Sequence, residues 1–259
     1  MNILILDSSS ETQFLSLKDR RTQHILEVLR KEVGGRMRAG SLDGLIGWAI
    51  LESIGDAEIM LRFIAEESAP PLRPLRVLMG TVRPIQAARI VKELTILGVE
   101  SVVFVPTELG EKSYTQSHFY QQKEYLIYAR EGAEQSGNPR LPEIGLAWTL
   151  DRALIKAERT ESMDHADTKT PISARETDNS KCTRLLCHPD PSAQLLGDII
   201  LSGLPVVLAI GTERGWTNHE IDIFLNAGYL LCSLGDRILK TETAASAAVS
   251  ILLSRLGYM

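Results

Sequence analysis

Long apolar runs are missing from the 259-residue chain, and the N-terminus carries no basic segment followed by an apolar stretch. The first absence excludes a membrane-spanning helix and the second a secretory leader, so a cytoplasmic protein is expected. Cysteine is scarce. Cys182, Cys187 and Cys232 follow no metal-ligand spacing and leave an odd thiol in any disulfide pairing. They read as reduced structural residues, and no metal site is expected. Positive charge is not in excess, since the formal net charge is -5. An acidic total does not exclude a nucleic-acid partner, because charge on one face governs that binding. No G-x-G-x-x-G follows the first strand signal, which argues against a nicotinamide-binding Rossmann enzyme.

What is present is a hydrophobic content of 44%, enough for one large or two ordinary domains. The proline-rich stretch Ser68-Ala69-Pro70-Pro71-Leu72-Arg73-Pro74 reads as a linker, giving domains over 1–68 and 75–259. The first is β-rich with one helix. Its strand signals are residues 2–6, 36–39, 45–51 and 57–64, with Asp43-Gly44 as a hairpin turn and a helix over 21–31 stopped by Gly34-Gly35. Between Lys18 and Arg38 stand seven basic residues against three acidic ones. Arg20, Arg21, Arg30, Lys31, Arg36 and Arg38 suit phosphate contacts; a solvated charged face is the alternative.

The second region alternates strand and helix, which argues for a parallel α/β sheet. A strand over 75–79, a helix over 84–97 closed by Gly98 and a strand over 101–105 open it. A helix over 118–135 follows, stopped by Gly137 and Pro139. Residues 156–182 carry charges of both signs without period and read as a mobile surface insertion. Next come a strand over 184–189, a helix over 190–201 and the β-branched strand Val206 to Ile210.

Two glycine-bearing loops come after that. Gly211-Thr212-Glu213-Arg214-Gly215-Trp216 leads into a helix that Thr217 and Glu220 cap as a capping box, with Trp216 and Ile221 as its hydrophobic staple. The strand over 229–234 leads through Gly235-Asp236-Arg237-Ile238-Leu239-Lys240-Thr241-Glu242 into a small-residue helix from Ala244 to Leu253. Ligands bind open α/β sheets in such crevices outside the carboxyl ends of strands. An ordinary pair of strand–helix turns is the alternative.

These loops resemble those of the RsmE-type 16S rRNA uridine-N3 methyltransferases of the SPOUT superfamily. That family's loops read G-P-E-G-G-W and S-L-G-x-R-I-L-R-T-E-T-A, against Gly-Thr-Glu-Arg-Gly-Trp from Gly211 and Ser-Leu-Gly-Asp-Arg-Ile-Leu-Lys-Thr-Glu-Thr-Ala from Ser233. The stretch from His24 to Gly35 is similar to the family's H-x-x-x-V-L-R-x-x-x-G. Glu134, Gln135, Arg140 and Pro142 fall on its A-x-E-Q-x-G-R-x-x-x-P-x-I segment. The resemblance implies a PUA-like RNA-binding β-barrel followed by a SPOUT trefoil-knot α/β domain. It also implies S-adenosylmethionine as cofactor, 16S rRNA or the small ribosomal subunit as partner, and a homodimer through the alanine-rich last helix. Burial of those alanines (Ala244, Ala245, Ala247, Ala248) within one chain is the alternative.

Under the resemblance the cofactor residues are Leu186, His188, Ile210, Gly211, Thr212, Glu213, Gly215, Ser233, Leu234, Gly235, Ile238, Leu239 and Thr241. His188 reads equally as a structural hydrogen-bonding residue. Arg237, Glu213 and Glu242 are the catalytic candidates, since removing the N3 proton of uridine calls for a base or a stabilising cation. Glu242 also reads as a carboxylate favoured by its helix dipole. Gln135, Arg140 and Arg214 join the RNA contacts. Three positions depart from the family: Thr212 for proline, Arg214 for glycine and Lys240 for arginine. Arg214 either crowds the cofactor, if that position needs a positive φ, or turns outward toward RNA phosphate. Ribose 2′-O methylation, and a non-catalytic rRNA-binding protein with a degraded cofactor loop, are the competing functions.

Overall fold

The computed structural model describes residues 2–158 and 182–259. The chain divides into two compact units, Met1–Pro71 with Ala129–Leu141, and Leu72–Tyr128 with Pro142–Met259.

The first unit is a curled five-stranded mixed sheet, a half-barrel. Its strands are β1 (Leu4–Leu6), β2 (Thr12–Ser16), β3 (Arg36–Ser41), β4 (Leu45–Ile54) and β5 (Glu58–Ser68), in the order β1-β3-β4-β5-β2. β1 runs parallel to β3; the other pairs are antiparallel. Alternate side chains turn inward onto a core of Leu4, Leu6, Ile25, Met37, Leu51, Leu61 and Phe63. β2 carries no clean apolar alternation. Its Phe14 is 58% exposed, while its buried Gln13 donates its amide to the Ser8 and Ser10 carbonyls.

The helix expected over 21–31 is shorter and irregular. α1 (Arg20–Gln23) is capped by Asp19, whose Oδ1 accepts the Arg21 N–H at 2.8 Å. The turn then widens over His24–Val28, and Arg30 adopts a φ of 49°. Ile25 alone is buried there, and Val28 is exposed, so no apolar stripe sustains a regular helix.

The second unit is a seven-stranded sheet, parallel throughout, in the order β10-β12-β9-β11-β6-β7-β8. Its strands are β6 (Arg73–Gly80), β7 (Val99–Val105), β8 (Glu143–Leu146), β9 (Thr183–Cys187), β10 (Gln194–Leu195), β11 (Val206–Ile210) and β12 (Leu230–Ser233). β11 lies between β9 and β6 and is buried along its length, as an unbroken apolar run on a two-faced parallel sheet requires. Its helices are α2 (Pro84–Leu97), α3 (His118–Gln121), α5 (Leu150–Glu158), α6 (Asn218–Asn226) and α7 (Thr241–Arg255), while most of α4 (Tyr125–Ser136) belongs to the first unit. α2 starts with Pro84 in its first turn and closes on Gly98 at a φ of 77°. It packs against α7.

Several expectations are corrected. The helix over 118–135 is two helices, parted at Lys123, which holds a φ of 57°. No helix forms over 190–201. There Asp190 Oδ1 accepts from both the backbone N–H and the hydroxyl of Ser192, closing a turn that competes with helix formation. Of the expected insertion, residues 159–181 lie outside the described residues. Its first part is ordered, since Lys156 to Glu158 complete α5 and Glu158 pairs with the buried Arg184 at 2.6 Å. The excursion of Ala129–Leu141 into the first unit was not expected. Ala133 packs there with Ile3 and Ile5, and the Glu134 carbonyl accepts the Asn2 and Ile3 N–H groups.

The capping box of α6 forms as its spacing dictates. Thr217 Oγ1 accepts the Glu220 N–H at 3.2 Å, and Glu220 Oε2 accepts the Thr217 N–H at 2.8 Å. Thr217→Ala is therefore expected to cost about 1 kcal/mol, read as a lower midpoint in urea unfolding.

Candidate functional site

The carboxyl ends of β9, β11 and β12 are neighbours in the sheet, so the segments that leave them stand side by side. They form one cleft. Its floor and walls come from His188 and Pro189 after β9, from Ile210 at the end of β11 with Gly211 to Glu213 and Gly215 after it, and from Leu234, Gly235, Arg237 to Leu239 and Thr241 after β12. The apolar walls are Ile210, Leu234, Ile238 and Leu239. Ile238 is 81% exposed, a large apolar side chain held out over the opening.

The Gly211–Gly215 turn is tight. The Gly215 N–H donates to the Thr212 carbonyl at 2.9 Å, and Gly215 takes a φ of 73°. A Cβ on Gly211 would lie 3.0 Å from the Gly215 Cα and carbonyl carbon and 3.3 Å from Trp216 Nε1. Arg214 does not occupy the positive-φ position. Its side chain is exposed and lines the adjoining cavity.

Eleven of the thirteen residues expected to hold the cofactor line this cleft: His188, Ile210, Gly211, Thr212, Glu213, Gly215, Leu234, Gly235, Ile238, Leu239 and Thr241. The other two do not. Leu186 is fully buried in the hydrophobic core beneath the strand ends. Ser233 is buried and shapes the loop instead, accepting the Gly235 N–H at 3.1 Å. Cys187, Pro189 and Ala244 line the cleft without having been singled out. Their signal was position alone: they flank His188 and Thr241. The Cys187 sulfur is hydrogen-bonded with Cys232, its cross-strand partner, which holds the Cys187 thiol below its usual range and pushes Cys232 up. His188 Nδ1 is buried and has no hydrogen-bond partner among the described residues, so this atom makes no structural hydrogen bond.

Arg237 and Glu213 both reach the cleft. Glu242 does not. It sits in the first turn of α7, in a depression shared with Arg89 and Glu93 of α2. Of the alanines of α7, Ala245 and Ala248 are buried in the chain's own core, whereas Ala244 faces the cleft and Ala247 faces that depression.

A second cavity adjoins the first across the glycine turn. Thr212 and Glu213 line both, and Arg214 lines the second. Its other walls come from Thr81, Arg83 and Gln86 at the β6–α2 junction and from Leu109 to Glu111 and Tyr114 after β7. Beside it the Tyr120 hydroxyl donates to the Val82 carbonyl at 2.9 Å. Burial pushes the Tyr120 phenol far up, and the Glu213 charge adds to that shift.

The basic residues of the first unit divide by their partners. Arg21 is 13% exposed and bound to both Asp7 and Asp19, and its hydrogen bond holds the Asp19 carboxyl below the usual range. Its guanidinium also donates to the Ile5 carbonyl at 2.9 Å. Arg20 pairs with Glu134 at 2.6 Å, and Arg140 donates through Nε to the Ala69 carbonyl at 3.1 Å. Arg36 and Arg38 stack over Trp48 at 4.4 and 5.1 Å, and Arg38 also pairs with Glu66. Arg30 and the side of Gln135 are exposed, and Lys31 is half-buried.

A family model described as an RNA methyltransferase domain matches residues 68–253. The ribosomal RNA small subunit methyltransferase E of Treponema pallidum is 32% identical over 258 residues, covering 98% of this chain and 91% of the relative. A protein called ribosomal RNA small subunit methyltransferase E 1, from Borreliella burgdorferi, is 25% identical over 261 residues, covering 99% of each. The fold matches that of a ribosomal RNA small subunit methyltransferase E from Neisseria gonorrhoeae, solved bound to S-adenosyl methionine. The TM-score is 0.74 at 22% identity, with 98% of each chain covered. With the strand-end cleft and its glycine turn in place, these likenesses establish that the chain belongs to the RNA methyltransferase family that includes the ribosomal RNA small subunit methyltransferases E.

Proposed function

We propose that this protein binds S-adenosylmethionine in the strand-end cleft and methylates N3 of a uridine in 16S rRNA of the small ribosomal subunit, in the cytoplasm. The observation that carries the reading is the cleft itself. It combines a glycine turn in which a Cβ on Gly211 would stand 3.0 Å from the Gly215 backbone, apolar walls, and a buried His188 Nδ1 without a partner among the described residues. Such a lining suits a nucleoside: flat apolar walls for the adenine, close backbone approach at Gly211 and Gly215, and a carboxylate near a sulfonium. The cleft is narrow, about 100 Å³.

S-adenosylmethionine supplies an electrophilic methyl group on a positive sulfur. The chain's own groups prepare the acceptor. Glu213 accepts the N3 proton of the uracil ring, and Arg237 stabilises the ring anion left behind. In the first unit, Arg30, Lys31, Arg36 and Arg38, with Gln135, take RNA phosphates and bases. The homodimer and the trefoil knot belong to the same reading. The open depression between α2 and α7, lined by Ser246, Ala247 and Ser250, favours close approach of a second copy.

The test supplies methyl-labelled S-adenosylmethionine and small ribosomal subunits lacking the modification, followed by nucleoside mass spectrometry. Label on the uracil base is expected. Label on the ribose would replace the N3 reading with 2′-O methylation. A folded protein that binds no S-adenosylmethionine in calorimetry would establish the non-catalytic alternative.

A further inference from the structure

We infer that the second cavity is the acceptor-base pocket, in which Gln86 and Tyr114 hold the target uracil and Arg83 and Arg214 hold its flanking phosphates. This inference rests on the methyltransferase reading of the first cleft and assigns the other half of the reaction.

A methyl donor and its acceptor must approach to bonding distance, so the acceptor pocket has to border the donor cleft. Thr212 and Glu213 line both spaces, which makes the turn the partition between them. The second cavity measures about 440 Å³, within the roughly 300–1,000 Å³ that small-molecule sites occupy.

A flipped nucleotide presents phosphates, a flat ring and a hydrogen-bonding edge, and proteins meet these with cations, aromatic faces and amides. Arg83 and Arg214 are both exposed at the rim, and neither guanidinium has an ion-pair partner among the described residues. Tyr114 offers the aromatic face. It sits in the turn Lys112–Gln116, which Glu111 caps at the Ser113 N–H. Gln86, in the first turn of α2, offers an amide.

Uracil presents carbonyl oxygens on either side of an N3–H. The Gln86 amide donates to one of the carbonyls, and the Glu213 carboxylate accepts from N3–H. Cytosine presents a bare N3 at that place, which would face the carboxylate lone pair to lone pair. The same two side chains therefore select uridine and set its N3 at the partition. The placement also explains Arg214. A glycine there contributes only backbone to the turn, whereas the arginine adds a cation to the pocket rim without entering the donor cleft.

The test uses the full chain. S-adenosylmethionine affinity is measured by calorimetry, and kcat and KM for methyl transfer are measured on unmodified small subunits. Tyr114→Ala and Gln86→Ala are each expected to lower kcat/KM for RNA by about 10- to 100-fold while S-adenosylmethionine affinity stays within about twofold. Arg83→Ala is expected to raise KM with kcat little changed, and to flatten the salt dependence of KM. Gln86→Glu is expected to lose more activity than Gln86→Ala, because it sets a second acceptor against a uracil carbonyl. Retained S-adenosylmethionine binding shows that each variant is folded. Unchanged kcat/KM in Tyr114→Ala and Gln86→Ala, with the unsubstituted enzyme active, would overturn the pocket and leave the donor cleft standing. An unsubstituted protein that binds no S-adenosylmethionine would instead remove the methyltransferase reading, and this pocket with it.

Discussion

Gly211→Val is expected to weaken S-adenosylmethionine binding by about 100-fold, the equivalent of an overpacking penalty of roughly 2–3 kcal/mol. A Cβ at this position would stand 3.0 Å from two backbone atoms of Gly215, and backbone cannot rotate aside as a side chain can. The Gly215 backbone would have to give by a few tenths of an ångström and the γ-methyls of valine would need further space, and the turn is the cleft wall. The cost falls on the loop and not on the sheet, because Gly211 lies just beyond the last residue of β11. Thermal unfolding should therefore show a folded protein whose calorimetric titration is nearly flat. A Gly211→Val variant that binds normally would exclude the turn from the site.

The second large effect concerns the reacting groups. Glu213→Gln keeps the shape of the side chain and removes its capacity to take a proton. It is expected to reduce the rate of methyl transfer by about 100- to 10,000-fold, the usual contribution of a positioned general base. Binding of S-adenosylmethionine should weaken by a much smaller factor, since the lost charge also faces the sulfonium, so the loss is read in kcat at saturating cofactor. Arg237→Ala is expected to reduce kcat as well, and Arg237→Lys to restore part of it by returning the charge without the planar fork. Single-turnover rates separate these effects from product release. If Arg237→Ala transfers methyl groups at the full rate, the arginine has no part in stabilising the ring anion. A full rate in Glu213→Gln would move the base elsewhere, and His188, with its unpartnered Nδ1 in the same cleft, would be the next residue to replace.

Much of the second unit is legible in the sequence because its local signals agree with its tertiary role. The strand Val206–Ile210 is an uninterrupted apolar run, and it is buried at every position. The cap at Thr217 and the stop at Gly98 stand where their side chains require. The first unit is harder to read. β2 turns a glutamine inward and a phenylalanine outward, so its period carries no hydrophobic contrast. The segment after Pro189 holds apolar residues but makes its hydrogen bonds through Asp190 and Ser192, and only the two residues Gln194–Leu195 pair as strand. In the site, the glycine turn and Arg237 were legible by loop chemistry. Leu186 and Ser233 were assigned to the cleft because they sit next to its residues, but adjacency along a strand does not decide which side chains face the opening. Glu242 was assigned by its place in the motif, whereas the first turn of α7 carries it round to the side facing α2. The second cavity was invisible, because it joins three loops far apart in the chain.

The strand order has a consequence for the protein while it is being made. β6, β7 and β8 emerge from the ribosome first and pair with one another, but the other edge of β6 finds its partner in β11, far later in the chain. Until Val206–Ile210 is synthesised, the apolar strand Arg73–Gly80 presents an open row of backbone donors and acceptors. α2 meanwhile waits for α7, which follows β11 and β12 in the chain, to cover its face. The nascent second unit is therefore exposed to association with other chains for most of its synthesis, and slow translation or a C-terminal truncation prolongs that exposure.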